Sequence, residues 1–216
     1  MEIKLMYDLN HTIAKEYFNK YKYPYEILPN ISKIIEEIGN NLDLSEYDKL
    51  KDNVWVHKTA KIYPTAYIEG PTIIGKNTEV RHCAFIRGKA LVGNDCVVGN
   101  SVELKNVILF DNVQVPHYNY VGDSILGYKA HMGAGSITSN VKSDKTNVVI
   151  KGDINLETNL KKVGAFLADY VEVGCNSVLN PGTVVLRNSN IYPLSSVRGV
   201  IPEKSIYKNG KIVKKY

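Results

Sequence analysis

Aliphatic residues recur at every sixth position, from Val56 through Ile62, Ile68, Ile74, Val80, Ile86, Val92 and Val98 to Leu104. Four residues after each stands Ala60, Ala66, Thr72, Thr78, Ala84, Ala90, Cys96, Val102 or Ile108, small early and bulkier late. Gly or Asn often lies between, as in Gly75-Lys76-Asn77 and Gly93-Asn94-Asp95. A period of six fits neither an amphipathic helix nor a meander of antiparallel strands. It fits a parallel β-helix in which each hexad forms one short strand and a corner. The aliphatic side chain then points inward and stacks on its counterparts one coil above and below. Corners demand left-handed backbone, which Gly and Asn tolerate.

The period returns as Leu167, Val173, Leu179, Val185, Ile191 and Val197. Between the two blocks the phase slips: the steps Leu104 to Leu109 and Val121 to Leu126 are each five residues. Residues 141–162 carry no hexad and much charge, and read as an arm ejected from the coil toward a neighbouring subunit. Residues 1–50 differ in kind. Ile13, Tyr17 and Phe18, then Ile31, Ile34, Ile35 and Ile38, are spaced for helices, with Asn30 as a cap and Gly39 as a stop. Asp43 to Glu46 resembles a capping box. This segment is expected to form a short helical cap over the first coil, whose strand edges would otherwise lie open. The β-helix is expected over 51–200, and the basic tail 201–216 is expected to cover the other end.

No apolar run is long enough to cross a membrane, and the N-terminus lacks a basic-then-apolar signal, so a cytoplasmic location is expected. Cys83, Cys96 and Cys175 lack metal or redox spacing and read as core thiols. A net charge of +5 without a dense Lys/Arg stripe favours a small anionic ligand over nucleic acid.

Three hexads make a coil, so residues eighteen apart stack about 4.8 Å from each other on one face. Arg87 and Lys105 are so related, each following an inward aliphatic residue. Two stacked cations need an anion. Glu103 and Glu69 are local candidates, and a phosphate clamp is the sharper reading. His117 lies in the phase-slipped segment 115–140, beside Tyr118, Tyr120 and Asp123. Histidine is the usual base for taking a proton from an amine or hydroxyl near neutral pH. Gly133-Ala134-Gly135 lets a ligand approach backbone N–H groups closely.

With the hexads, Arg87, the run 99–105, the run 115–123 and Gly133 to Asn140, the chain resembles a known acetyltransferase domain. That domain belongs to the bifunctional N-acetylglucosamine-1-phosphate uridyltransferase/glucosamine-1-phosphate N-acetyltransferase family and its archaeal sugar-1-phosphate nucleotidylyltransferase relatives. The resemblance covers roughly residues 54–200. It implies a left-handed parallel β-helix, a homotrimer and acetyl-CoA bound between subunits. It implies an N-acetyltransferase acting on an amino-sugar 1-phosphate or a related nucleotide-sugar precursor, with no metal needed. By the same resemblance His117 is the catalytic base, and Arg87, Lys105 and Tyr120 bind the substrate. Ala134 and Ala165 then contact the cofactor. His131 stands where the family has a sugar-binding Asn, a departure that bears on the acceptor. The first fifty residues are too short for a nucleotide-binding domain and hold no Gly-rich phosphate loop, so nucleotide transfer would need a separate nucleotidyltransferase.

Two other classes compete. One is a non-catalytic trimeric binding or scaffold protein that keeps the motif for folding. The other is a zinc hydratase of the carbonic-anhydrase kind, whose ligand spacing His82, His117 and His131 do not reproduce.

Overall fold

The computed structural model describes residues 1–215, and Tyr216, the last residue of the expected tail, lies outside them. Stacked two- and three-residue strands wind into a parallel β-helix with three faces. The first face holds Val54–His57, Thr72–Ile74, Ala90–Val92, the second halves of Glu103–Leu109 and Tyr120–Leu126, then Ala165–Leu167, Thr183–Val185 and Val200–Ile201. The second runs from Lys61–Ile62 through Glu79–Val80, Val97–Asn100, Gln114–His117, His131–Met132, Glu172–Val173 and Asn190–Ile191 to Ser205–Lys208. The third comprises Tyr67–Ile68, Phe85–Ile86, the first halves of Glu103–Leu109 and Tyr120–Leu126, Ile137–Thr138, Val178–Leu179 and Ser196–Val197.

Val56, Ile74, Val92, Leu109, Leu126, Leu167 and Val185 form one stacked, buried column, as the hexads require. The phase slips have a plain cause. Val92 pairs with Leu109, seventeen residues on, because Glu103–Leu109 runs straight through the corner between the third and first faces. Tyr120–Leu126 does the same one coil later. Asn106 and Asp123 take up left-handed backbone there, with φ of 56° and 48°.

The N-terminal region does not sit as a cap over the first coil. It is a layer laid lengthwise along the first face. Ile31–Gly39 packs on Thr72–Ile74, Ala90–Val92 and Glu103–Leu109, and Pro24–Asn30 packs on Tyr120–Leu126. Further along, Tyr7 and Phe18 pack their rings against Phe110, and Met6 O accepts Arg187 Nε at 3.0 Å. The reason lies in the outward residues of this face. Trp55, Ile73, Leu91, Ile108, Ile125, Phe166 and Val184 alternate with the core column and are all buried under the layer. A naked face of such side chains would expose a large apolar patch. Gly39 is the last residue of the helix, and only glycine fits there because a Cβ would collide with the Trp55 ring. Asp43 to Glu46 starts no helix: Asp43 Oδ1 accepts the Ser45 N–H at 2.7 Å in a turn. Tyr47–Lys51 then pairs antiparallel with Val54–His57 and covers the open edge of the first face.

Residues 141–162 leave the coil as expected but fold back on their own chain. Val149–Ile150 and Leu156–Glu157 form a small antiparallel pair. Val148 and Ile150 are buried against Gly182, and Lys151 lies over Gly199, at the corner of the last coils. The tail forms an antiparallel pair, Ser205–Lys208 with Lys211–Lys214, at the far end of the second face. Of the three cysteines only Cys96 is in the core, where burial pushes its thiol well up; Cys83 and Cys175 are exposed at corners. No helix of the described residues is long and apolar enough to cross a membrane.

Candidate active site

The third face is bounded by two edges that carry different chemistry. At the far edge Arg87, Lys105 and Gly122 stack on successive coils, since Ile86 pairs with Leu104 and Lys105 with Gly122. The two cations are neutralised separately. Arg87 donates to Glu103 at 2.7 Å, in a pair open to solvent on both sides. Lys105 donates to both Asp123 oxygens, at 3.0 and 3.1 Å, and that carboxylate is only 4% exposed. Glu69, in the same column below Arg87, pairs with neither.

Asp123 is a hub. It also accepts Asn106 Nδ2 at 2.9 Å and Asn140 Nδ2 at 2.6 Å, and Asn140 donates to Tyr120 Oη at 3.1 Å. Burial first, then the Asp123 charge, pushes the Tyr120 phenol above its usual range, so it stays protonated. Its oxygen accepts from Asn140, which leaves its own proton for a ligand. The structure thus brings Arg87, Lys105 and Tyr120 into one cluster.

His117 lies at the opposite edge, where the second face turns onto the third. Its imidazole is exposed. Its backbone is fixed: the N–H donates to Asn119 Oδ1 at 3.1 Å, and the carbonyl accepts Gly135 N–H at 3.0 Å. Buried Asn119 in turn donates to Gly133 O and Ser136 O, tying the His117 corner to the Gly133-Ala134-Gly135 corner one coil above. Gly135 has φ +71°, and a Cβ there would strike Asn176 Oδ1, so glycine is needed. The Gly133 and Gly135 N–H groups are spent on Val173 O and His117 O. The Ala134 N–H meets no acceptor among the described residues.

Two expected contacts fall elsewhere. Ala165 is fully buried on the first face, and its N–H donates to Ser124 Oγ at 2.9 Å, so it presents no surface to a ligand. His131 is on the second face, stacked between Gln114 and Glu172, with Nδ1 2.8 Å from Glu172 Oε2. It shares no face with Tyr120 in one chain. Nor do the three histidines line up: His82 and His117 are two coils apart with Asn100 between, and His131 stands one coil further on, beside Gln114 rather than His117.

Sequence reading missed Asn119, Asn140 and Arg198. Arg198 stands in the column above Ser139 and Asn180, donates among the described residues only to Asn180 Oδ1 at 3.4 Å, and lines an open polar groove with Lys142 and Asp144. The eighteen-residue step from Asn180 to Arg198 was the available signal.

A family model of the GMPPB C-terminal domain matches residues 70–211. This chain belongs to that family. It is 30% identical over 204 residues, 92% of its length, to the bifunctional protein GlmU of Methanococcus maripaludis, and covers 49% of that protein. It is 32% identical over 160 residues, 73% of its length, to a bifunctional sugar-1-phosphate nucleotidylyltransferase/acetyltransferase of Sulfurisphaera tokodaii, and covers 39% of it. The chain therefore spans about half the length, or less, of these relatives. A hexapeptide transferase family protein from Anaplasma phagocytophilum superposes with a TM-score of 0.50 over 76% of this chain and 80% of that one. At 18% identity that match shows the fold. The resemblance read from residues 54–200 is met by these relatives, and the hexads fold as the β-helix they imply.

Proposed function

We propose that this chain is an acetyl-CoA-dependent N-acetyltransferase acting on the amine of an amino-sugar phosphate or nucleotide-linked amino sugar. One observation carries the reading. The third face has a solvent-open imidazole at one edge, a paired-cation corner at the other and the Tyr120 hydroxyl at that corner. Gly122 lies five residues after His117, at most about 17 Å of extended chain. With a side chain reaching in from each edge, one sugar ring and its phosphate fill that span.

The roles follow from the contacts. Arg87 turns from Glu103 to the incoming phosphate, because an exposed pair exchanges partners at little cost. Lys105 stays anchored on Asp123 and adds a fixed positive charge. Tyr120 donates its hydroxyl proton to a phosphate or sugar oxygen. His117 takes the proton of the amine as nitrogen attacks the thioester carbonyl carbon. The N–C bond forms, the C–S bond breaks with its electron pair on sulfur, and the proton passes on to the leaving thiolate. The Ala134 N–H, one coil above His117, faces the carbonyl oxygen of the donor. Arg198, without a carboxylate partner among the described residues, suits an anionic part of a long cosubstrate. His131 reaches an acceptor only from a neighbouring copy of the chain, in keeping with a homotrimer.

Thiol release from acetyl-CoA, measured against a panel of amino-sugar 1-phosphates and nucleotide-linked amino sugars, tests the reading. Release with a phosphorylated amino sugar, and none with its unphosphorylated form, is the expected result. No release with any acceptor favours the scaffold reading, which a His117 ring without a partner among the described residues would then fit.

A further inference from the structure

The third face continues below the acceptor platform, and there it changes character. Its outward column runs Tyr67, Phe85, Glu103, Tyr120 and Ile137 on successive coils. Tyr67 and Phe85 are 55% and 38% exposed, with ring centroids 5.9 Å apart. Single exposed aromatics are ordinary on protein surfaces. Here two stand on adjacent rungs, and each carries a cation at its ring. The Arg87 guanidinium carbon is 5.9 Å from the Phe85 centroid, and Lys51 Nζ is 4.8 Å from that of Tyr67.

Resting on the acetyltransferase reading, we infer that Tyr67 and Phe85 form a shelf for the base of a nucleotide-linked acceptor, so the substrate is an amino sugar joined to a nucleoside diphosphate. The amino sugar lies across Tyr120 toward His117. Its diphosphate sits at the corner of Lys105 and Arg87, one rung of about 4.8 Å apart. The nucleoside then follows the column down onto Phe85 and Tyr67. Aromatic faces accept any base, since every base has a π-face. The counter-charges also shape the ligand. Glu103 is already engaged by Arg87 and is the group a phosphate displaces. The Glu69 carboxylate, one rung below Arg87, opposes a third phosphate.

Calorimetric binding of uridine and guanosine diphosphates, with inorganic pyrophosphate as the control, tests the shelf on the full chain. Each nucleoside diphosphate should bind about tenfold more tightly than pyrophosphate. Phe85→Ala should remove most of that advantage, Tyr67→Ala part of it, and Phe85→Tyr should restore it. In turnover, kcat/KM should favour the nucleotide-linked amino sugar over the matching sugar 1-phosphate, and Phe85→Ala should lower that ratio. Equal binding of nucleoside diphosphate and pyrophosphate by the wild type overturns the shelf, even if sugar 1-phosphates are acetylated. Phe85→Ala that shifts the mass in solution but leaves nucleotide binding intact overturns it too, and makes the rings a contact between copies. Phe85-dependent nucleotide binding with no acetylation of any amine keeps the shelf and removes the acetyltransferase reading.

Discussion

At the scale of single residues, the two stacked cations are not equivalent. Arg87 shares an exposed pair with Glu103, whereas Lys105 is the partner of a carboxylate that water hardly reaches. Arg87→Ala should raise KM for a phosphorylated acceptor and leave the urea midpoint nearly unchanged. Lys105→Ala should raise KM as well and also cost about 1–3 kcal/mol of stability, because Asp123 is left buried with its charge uncompensated. Equal stability of the two variants would show that Asp123 does not depend on Lys105. Part of this was legible beforehand. Eighteen-residue spacing pairs Arg87 with Lys105, and Glu103 was a visible partner. Asp123 stands eighteen residues after Lys105, so the same step points to it as the Lys105 counter-ion, though in sequence it stands out only as a neighbour of His117. What the sequence hides is that the seventeen-residue coil sets Gly122 in register with Lys105 and turns Asp123 inward on left-handed backbone. His117→Ala belongs to the same scale. Losing a positioned base costs about 10²–10⁴ in rate. Its kcat should fall by that order. Wild-type turnover across pH 6 to 9 would place the base elsewhere.

At the scale of elements, the decisive contrast is between the first face and the second. Residues just before the inward column read Lys61, Glu79, Val97, Gln114, His131 and Glu172 on the second face, mostly polar, and Trp55, Ile73, Leu91, Ile108, Ile125 and Phe166 on the first. The first-face residues are all buried, so there the apolar outward column marks a face covered from outside, whereas Tyr67 and Phe85 on the third face stay exposed. The hexad column was easy to read because its period is short. The covering layer hides in a three-hexad period that the phase slips blur. The helical segments were legible as helices, and their place was not, since amphipathic spacing names a buried face without naming what buries it. Phe166→Ala should therefore behave as a core truncation and cost about 3–5 kcal/mol in chemical denaturation. A loss near that of an exposed residue would mean the layer is loosely held. The arm 141–162 teaches the same lesson: absence of hexads showed that it leaves the coil, while its return depends on Gly182 and Gly199 opening room beneath Val148 and Lys151.

At the scale of the whole molecule, the layer limits how copies can meet. The first face is closed by the chain itself, which leaves the second and third. A closed ring built from two different patches joins one of them on each copy to the other on the next. His131, oriented by Glu172, belongs to the second face, and the platform of His117, Tyr120, Arg87 and Lys105 belongs to the third. If His131 serves an acceptor, it serves the platform of the neighbouring copy. His131→Ala and His117→Ala should then each be impaired alone. Unfolded together and refolded as a mixture, they should regain activity, because a platform with intact His117 can meet a neighbour with intact His131. Random assembly at equal amounts makes about a quarter of the contacts of that kind, so about a quarter of wild-type turnover is the expected ceiling. The control is a mixture of either variant with itself, which offers no intact contact. A mixture no more active than its parts, with light scattering showing that the chains have mixed, would confine the acceptor site to one chain and leave the His131–Glu172 pair as a feature of the second face alone.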